Sequence, residues 1–270
     1  MTSCNRKLLV LVLALFAPAC DASITPLDTL ALRAGGFLTQ FDLAVHRAED
    51  EDDRIDFDQE LGLEEHTLIE SVSFAWRPWL RHEFGIGYFN QLLTGTRRLR
   101  RDLEFEDEVF PVATTVYSSF ALESFEFHYT YWLFTNEDWA LGPRFAFVDY
   151  RMRNRIEMLL GEAGEPPAVR VSALWQEHVP TPTFGVDFRY TPASNWRISA
   201  NAGWFEAEFD KVSPVVASAR AGVEYFFGDR LGIWLDYGLT HLDVGVRGSR
   251  IDGEVEIYEG GLRLGLVWRM

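Results

Sequence analysis

Apolar and polar residues alternate along most of the chain. In LRLGLVWRM, at residues 262–270, leucine or tryptophan takes every second position, and arginine, glycine or valine takes the positions between them. Successive side chains of a β-strand point to opposite faces, so this segment has one apolar face and one polar face. No stretch of the sequence shows a sustained helical period, and the pattern predicts an all-β protein.

Ten segments share this alternation and are the predicted strands. Aromatic residues, 14% of the chain, concentrate in them, as in FEFHYTYWLF and LGIWLDYGL. Eight strands are the alternative, if the loop at 96–114 or a flanking segment is misread. The ten segments lie at about residues 30–47, 66–77, 82–95, 115–134, 139–156, 170–191, 196–208, 214–227, 231–244 and 253–270.

The connections between the predicted strands alternate in length. Those after even-numbered strands are short: RPWL at 77–80, TNED at 135–138, TPASN at 191–195 and GDR at 228–230. Those after odd-numbered strands are longer, apart from the medium one at 209–213: 48–65, 96–114, 157–169 and 245–252. Outer-membrane barrels have short periplasmic turns and longer outer loops. The sequence therefore predicts a closed antiparallel up-and-down transmembrane β-barrel, formed by one domain at residues 23–270.

The N-terminus has the features of a secretory signal. Arg6 and Lys7 precede the apolar run LLVLVLALFA, which is too short to span a bilayer as a helix. Small residues allow cleavage after Ala19 or Ala22, and we take residues 1–22 as the signal peptide. A lipoprotein site at Cys20 is the alternative. Both cysteines, Cys4 and Cys20, lie in the signal or at its edge, so the exported chain is expected to lack a disulfide.

Charge and hydropathy agree with an envelope protein. The net charge is −16, which argues against nucleic-acid binding. Mean hydropathy is −0.08, as expected of a barrel whose strands alternate. The predicted location is the outer membrane of a Gram-negative bacterium, and the protein is expected to be a monomer without a cofactor. Its expected partners are outer-membrane lipid, lipopolysaccharide and the barrel-insertion machinery.

In a barrel of this kind the apolar face of each strand meets lipid and the polar face lines the lumen. Buried charges need partners of opposite sign, so we expect a network of charge pairs across a narrow bore. Glycines on the same face leave space for larger inward residues, Trp132 and Trp234. The predicted network comprises Glu83, Glu126, Arg144, Asp187, Arg189, Arg197, Arg220, Glu224, Asp236 and Arg263.

Aromatic residues at strand ends predict an interfacial girdle on the periplasmic side. They adjoin the short turns or the C-terminus, which is where a periplasmic girdle would lie. The predicted girdle comprises Trp76, Trp79, Trp132, Trp139, Trp196, Tyr225 and Trp268.

Three segments resemble small Gram-negative outer-membrane barrel proteins of the OmpW/OmpA-type class. They are IDFDQELGLEEHT, RRDLEFEDEVFPVATTV and VPTPTFGVDFRYTPASNWRIS. The resemblance implies a structural, adhesive or narrow-pore role and does not imply a substrate. One departure is the C-terminus, which reads Trp-Arg-Met where barrels of this class usually end on an aromatic residue.

Some outer-membrane barrels are enzymes, so we considered hydrolytic chemistry at the extracellular rim. His241 and Asp243 share one strand face, as a general base and its orienting carboxylate would. This pair makes an omptin-like protease the alternative function. Ser118 or Ser119 with His128 is a weaker basis for a lipid esterase. A plain hydrogen bond at the rim is the simpler interpretation, and we expect no enzymatic activity.

Two further alternatives are a metal site in an acidic loop and a soluble barrel. Asp50, Asp52 and Asp53 in AEDEDD, with DFD at 56–58, supply oxygen ligands of the kind that Ca²⁺ prefers. A solvated acidic loop is the simpler interpretation, and no metal is expected. A secreted soluble β-barrel that carries lipid is the second alternative function, and it requires the aromatic faces to point inward.

Overall fold

The structure is a computed structural model that describes residues 24–47, 54–56, 66–100, 102–105, 108–112, 114–160, 168–208, 212–246 and 253–270. The predicted signal peptide lies outside the described residues. So do the candidate metal ligands Asp50, Asp52 and Asp53. None of the described residues forms a helix long and apolar enough to cross a membrane.

Ten long strands make up the described part of the chain, and they match the predicted segments closely. They are β1 Leu30–Arg47, β2 His66–Trp79, β3 His82–Arg98, β4 Thr115–Tyr131, β5 Trp139–Leu160, β6 Ala168–Ala193, β7 Trp196–Glu206, β8 Val212–Phe226, β9 Leu231–Val246 and β10 Gly253–Arg269. Four short strands, left without numbers here, are Arg54–Asp56, Leu103–Phe105, Glu108–Phe110 and Phe134–Thr135.

The strands close into a barrel. Each pairs antiparallel with its neighbours in sequence, and β1 pairs with both β2 and β10. Leu38, for example, lies opposite Leu262 of β10 on one side and Leu68 of β2 on the other. The predicted ten-stranded up-and-down barrel is therefore confirmed, in preference to the eight-stranded alternative.

The short turns lie together at one end of the barrel, as predicted. The turns Leu80–Arg81, Ser194–Asn195 and 227–230 lie at the end where the chain enters and leaves the barrel. There the Ile24 amide donates to the Ser194 carbonyl, and the Met270 amide donates to the Leu30 carbonyl. By the rule for such barrels, this is the periplasmic end.

The apolar faces of the strands point outward across most of the barrel. Leu262, Leu264 and Leu266 of β10 are each about half exposed, and so are the matching residues of β9. A soluble carrier would bury these side chains, so the soluble alternative is not what the structure shows. A closed barrel with an apolar exterior belongs in the outer membrane, where lipid covers this surface.

Six members of the predicted girdle lie near the periplasmic end with exposed or partly exposed side chains, whereas Trp132 does not reach the surface. Trp76, Trp79, Trp196 and Trp268 are exposed near the periplasmic end, and Trp139 and Tyr225 are partly exposed. Trp132 is fully buried, with 0% exposure. It follows Glu126, His128 and Thr130 on the inward face of β4, so it packs in the lumen and does not reach lipid.

Towards the outer end of the barrel, the polarity of the two faces is exchanged, although the register of the strands is unchanged. There the inward positions are apolar and buried, as with Met152 and Ile156 of β5. The outward positions between them are Arg151, Arg153 and Arg155, which are exposed. This part of the barrel has the pattern of a water-soluble protein, with a core inside and charges outside.

We predict that Leu264→Arg destabilises the barrel by about 2–4 kcal/mol, because it places a charge near the middle of the lipid-facing band. The measurement is urea unfolding in lipid vesicles, followed by tryptophan fluorescence. Gly228→Arg is the control, since a side chain built at Gly228 meets nothing within 4 Å at a periplasmic turn. Equal losses of stability in the two variants would contradict the assignment of β10 to the lipid-facing surface.

Candidate functional site

The lumen contains three successive layers, described here from the periplasmic end outward. The first is the periplasmic seal, formed by residues 24–29 and the side chains that hold them. The second is a polar cavity of about 210 Å³. The third is the outer apolar layer, which comprises Leu93, Leu99, Phe110, Val116, Phe120, Leu122, Tyr150, Met152, Ile156, Met158, Val216, Leu242, Val244 and Ile257.

Asp28 is the centre of the periplasmic seal. Both nitrogens Nη1 and Nη2 of Arg197 donate to its carboxylate at 2.7 Å, and Arg269 Nη1 donates at 3.0 Å. Arg197 also donates to the Thr25 carbonyl at 2.9 Å. These bonds fix the segment before β1 across the end of the bore, where Ile24 and Leu27 are buried.

Aromatic rings enclose the cations of the seal. The guanidinium carbons of Arg197 and Arg269 lie 5.2 and 4.8 Å from the ring centroid of Phe226. The guanidinium of Arg189 lies 4.7 Å from the ring centroid of Trp132. Such cation–π contacts stabilise arginines that are removed from water. Trp132 therefore contributes to the lumen in place of its predicted role in the girdle.

Besides Asp28, five carboxylates form ion pairs in the seal and along the wall of the cavity. Glu224 accepts from Arg197 at 2.9 Å and from Arg33 Nε at 2.7 Å. Glu83, which is almost fully buried, accepts two hydrogen bonds from Arg189, and one of them measures 3.0 Å. The other three are Glu126 and Asp187, which both pair with Arg144, and Asp236, which pairs with Arg263 at 2.6 Å.

Glycine makes room for one member of this network. The His128 ring lies against Gly85 and contacts Glu126 with Nδ1 at 3.0 Å. A Cβ at Gly85 would stand 2.2 Å from Cε1 of His128, so a larger residue there would displace the ring. This is the role that the sequence predicts for glycines on the inward face.

The cavity wall also contains charges without a direct counterion. Arg220 and Glu259 both line the cavity, and neither has an ion pair within 4 Å among the described residues. Arg220 lies over Gly238 together with Arg263, whose Nη2 is 3.2 Å from the position a Cβ would take. Small and polar side chains complete the wall, including Ser199, Asn201 and Ser218.

All ten residues of the predicted charge network point into the lumen. Nine of them form ion pairs there, and Arg220 lines the cavity without one. The predicted network leaves out Asp28, Arg33, Glu259 and Arg269, although the alternation in LRLGLVWRM already places Arg269 on the lumen face. Arg33 and Glu259 also occupy inward positions of predicted strands, so strict alternation along those strands would have found them. Asp28 precedes β1 and carries no such signal.

The outer apolar layer lies at the other end of the bore. Phe110 and Leu99 reach it from the connection after β3 and are buried against Phe120 and Ile156 of the barrel wall. Gln91 and Asn154 face inward beside Leu122 and Phe120 in the strand register, and their amides have no hydrogen-bond partner among the described residues. Each such amide costs about 1–3 kcal/mol, which reduces the stability that the layer supplies.

The candidate catalytic residues are not assembled inside the barrel. His241 and Asp243 lie on the outward face of β9, and the His241 ring stacks on Tyr258 of β10 at a centroid distance of 4.2 Å. Glu256 is the third polar group, with Oε1 3.5 Å from His241 Nε2, but the geometry forms no hydrogen bond.

The predicted serine–histidine pairs are also apart. Ser118 faces the lumen, as His128 does, but ten residues of β4 separate them, or about 34 Å of strand. Ser119 points to the opposite face of the same strand. These pairs therefore cannot form an esterase site. Among the described residues, no group of three or more His, Cys, Asp or Glu side chains is placed to hold a metal ion.

Solved structures share this fold, while sequence comparisons find nothing. No protein-family model and no curated protein sequence matches the chain. The outer-membrane protease OmpT of Escherichia coli aligns with a TM-score of 0.59 and 9% identity, over 93% of this chain and 100% of that chain. The likeness establishes the fold of an outer-membrane barrel.

Two weaker alignments are to other barrels. The toluene transporter TbuX of Ralstonia pickettii aligns with a TM-score of 0.34 and 10% identity, over 92% of each chain. Ail of Yersinia pestis, solved with a heparin analogue, aligns with a TM-score of 0.35 and 8% identity, over 88% of this chain and 98% of that chain.

Burial and the neighbouring arginines shift the pKa of the Asp28 carboxyl in opposite directions. Burial raises the pKa of its carboxyl, but Arg197 and Arg269 lower it further, and the pKa falls from 3.8 to about 2. Because the folded-state pKa is depressed, the carboxylate stabilises the fold above pH 3.8, and this contribution is lost as the pH falls through about 2.

We predict that Asp28→Asn lowers the free energy of unfolding at pH 7 by about 2–3 kcal/mol, the linkage value for such a pKa shift. The difference between wild type and variant should shrink as the pH falls from 4 towards 2, because wild-type Asp28 becomes protonated. Urea unfolding across this pH range measures it. Asp229→Asn, at an exposed periplasmic turn, is the control and should show no such convergence. A pH-independent difference for Asp28→Asn would contradict the prediction.

Proposed function

We propose that the protein is a closed, non-conducting outer-membrane barrel with a structural role, and not a pore for small solutes. The observation that supports the proposal is the burial of side chains that lie in the lumen near both of its ends. Arg197 has no exposed surface where it holds Asp28, and Phe120 and Ile156 have none in the outer apolar layer. Within the class of small barrels that the sequence resembles, this favours the structural role over the narrow pore.

The periplasmic seal resists opening for an electrostatic reason. Moving residues 24–29 out of the bore would break three hydrogen bonds between Asp28 and the two arginines. Removing one partner from a buried ion pair typically costs about 3–5 kcal/mol, because it leaves a charge without compensation. The closed arrangement is therefore strongly favoured in the resting protein.

The outer apolar layer opposes ions by desolvation. An ion that passed Phe120, Leu122 and Ile156 would lose its water without gaining a charged partner, and the cost is several kcal/mol or more. The two barriers lie in series, so an opening at one end leaves the other closed.

The protease alternative has less support. It draws on the likeness in fold to OmpT, and at 9% identity that likeness carries no catalytic residue across. His241, Asp243 and Glu256 lie on the outer wall, where Tyr258 covers the imidazole. A substrate would have to approach this cluster from beside the membrane.

Single-channel recording in planar bilayers tests the proposal. We expect the wild type to give no conductance steps. Arg197→Ala with Asp28→Ala opens the seal, and Phe120→Ser with Ile156→Ser opens the apolar layer. Because the barriers lie in series, we expect neither double variant to conduct and the combined quadruple variant to conduct.

Each result bears on the proposal directly. Steady conductance of the wild type would overturn it. Conductance in one double variant alone would show that the other barrier is not closed. Heat modifiability, the difference in gel mobility between boiled and unboiled samples, establishes that each variant is folded before it is recorded.

A further inference from the structure

The outer wall of β5 presents a row of arginines. Arg151, Arg153 and Arg155 occupy alternate positions of one strand, so their side chains share the outward face. Arg151 and Arg155 are 66% and 53% exposed. In a chain of net charge −16, three successive outward arginines are a local concentration of positive charge. We call these three residues the arginine ladder.

The arginine ladder begins where the lipid-facing band ends. Trp139 marks the periplasmic end of β5, and ten residues separate it from Asp149. At a tilt of about 40° these ten residues rise about 26 Å, which matches an apolar band of about 25 Å. Asp149 therefore lies at the outer edge of the band, and the ladder extends beyond it into the layer of lipid headgroups.

The neighbours of the ladder leave space beside it. Ala121 and Ser119 of β4 lie opposite Arg153 and Arg155 in the strand register, and both have short side chains. On the other side, Gln176 lies opposite Arg153. Ser119 and Gln176 therefore place one hydrogen-bonding group on each side of the two upper arginines, and we call this stretch of the outer wall the shelf.

Apolar side chains remain within reach of the shelf. Leu174 of β6 lies opposite Arg155, and Leu92 of β3 follows Ala121 in the register. Leu92 is 63% exposed and Leu174 is 45% exposed. Leu92 lies ten residues from the start of β3, at the outer edge of the apolar band, so a lipid bound here would meet Leu92 with its acyl chains and the arginines with its headgroup.

The arginines of the ladder form weak ion pairs within the protein, or none. Arg151 Nε lies 3.2 Å from Asp149, and Arg155 Nη1 lies 3.4 Å from Glu157. Arg153 has no ion pair among the described residues. Exposed pairs of this kind contribute about 0–1 kcal/mol, so a stronger acceptor can replace the carboxylates. Glu123, opposite Arg151, makes the lower end of the ladder less favourable for an anion than the upper end.

We propose that Arg153 and Arg155 bind the phosphate groups of an outer-leaflet glycolipid, with Leu92 in contact with its acyl chains. The arginine guanidinium forms paired hydrogen bonds to phosphate and is weakly hydrated, which suits it to the membrane interface better than lysine. The proposal gives the lipopolysaccharide expected as a partner a defined position on the wall. It does not depend on whether the lumen conducts.

Native mass spectrometry of the refolded full chain in detergent tests the proposal, with lipid A as the probe. The comparison is between diphosphorylated lipid A and lipid A from which both phosphates have been removed. We expect the wild type to bind the phosphorylated form at least about tenfold more tightly, the factor that one charge-assisted contact supplies.

Matched variants test whether Arg153 and Arg155 form the phosphate-binding site. Arg153→Gln with Arg155→Gln should abolish the preference for phosphate. Arg81→Gln with Arg230→Gln makes the same change of charge at exposed positions beside the periplasmic turns, and it should keep the preference. Arg153→Lys with Arg155→Lys retains the charge without the guanidinium fork, and we expect a partial loss. This variant also tests the proposal if the glutamine variant fails to fold.

Three results would overturn the proposal. The first is a wild type that binds both forms of lipid A equally. The second is a folded ladder variant, glutamine or lysine, that keeps the full preference for phosphate. The third is complete displacement of lipid A by inorganic phosphate in excess, which would assign the arginines to a free anion and not to a lipid.

Discussion

The closure of β1 against β10 is the constraint on which the rest of the structure depends. Inside a bilayer every backbone amide and carbonyl must be paired, since no water is present to receive it, and an open sheet would leave two unpaired edges. Seventeen successive residue pairs, from Ala31–Arg269 to Arg47–Gly253, join the two strands. Once the sheet is closed, each strand has one face towards lipid and one towards a narrow bore. Its side chains must therefore suit lipid on one face and the bore on the other.

The bore determines which polar residues the inward face can hold. An arginine such as Arg197 loses its water there, and the fold compensates with Asp28, Glu224 and the ring of Phe226. Such pairs do not of themselves make a barrel more stable than apolar packing would. Their consequence is positional, because they fix the segment before β1 across the periplasmic end and join β3, β6, β7 and β8 through the lumen.

The sequence predicted the strands and their closure because both follow from a period of two that every strand repeats, and the same period places the ten residues of the charge network on inward faces. Trp132 was predicted both as an inward residue and as a member of the girdle, and its burial agrees only with the inward position that it shares with Glu126 and His128. Asp28 had no such signal, since it lies before the first strand and acquires its partners only from the closed barrel. The pairing of Arg197 with Asp28, 169 positions apart, is a property of the tertiary fold.

The outer apolar layer was missed for a different reason. The rule that apolar residues face lipid holds only for the part of a strand that lies in the membrane, and β5 leaves the membrane near Asp149. Beyond that residue the wall meets polar headgroups and water, so the apolar residues Met152 and Ile156 take inward positions while Arg151 and Arg153 take outward ones. The same reversal places His241 and Asp243 outside and Leu242 and Val244 inside on β9. The apolar residues inside the bore and the charged residues on the outer wall therefore have one physical cause: the surroundings of each strand change from lipid to water along its length.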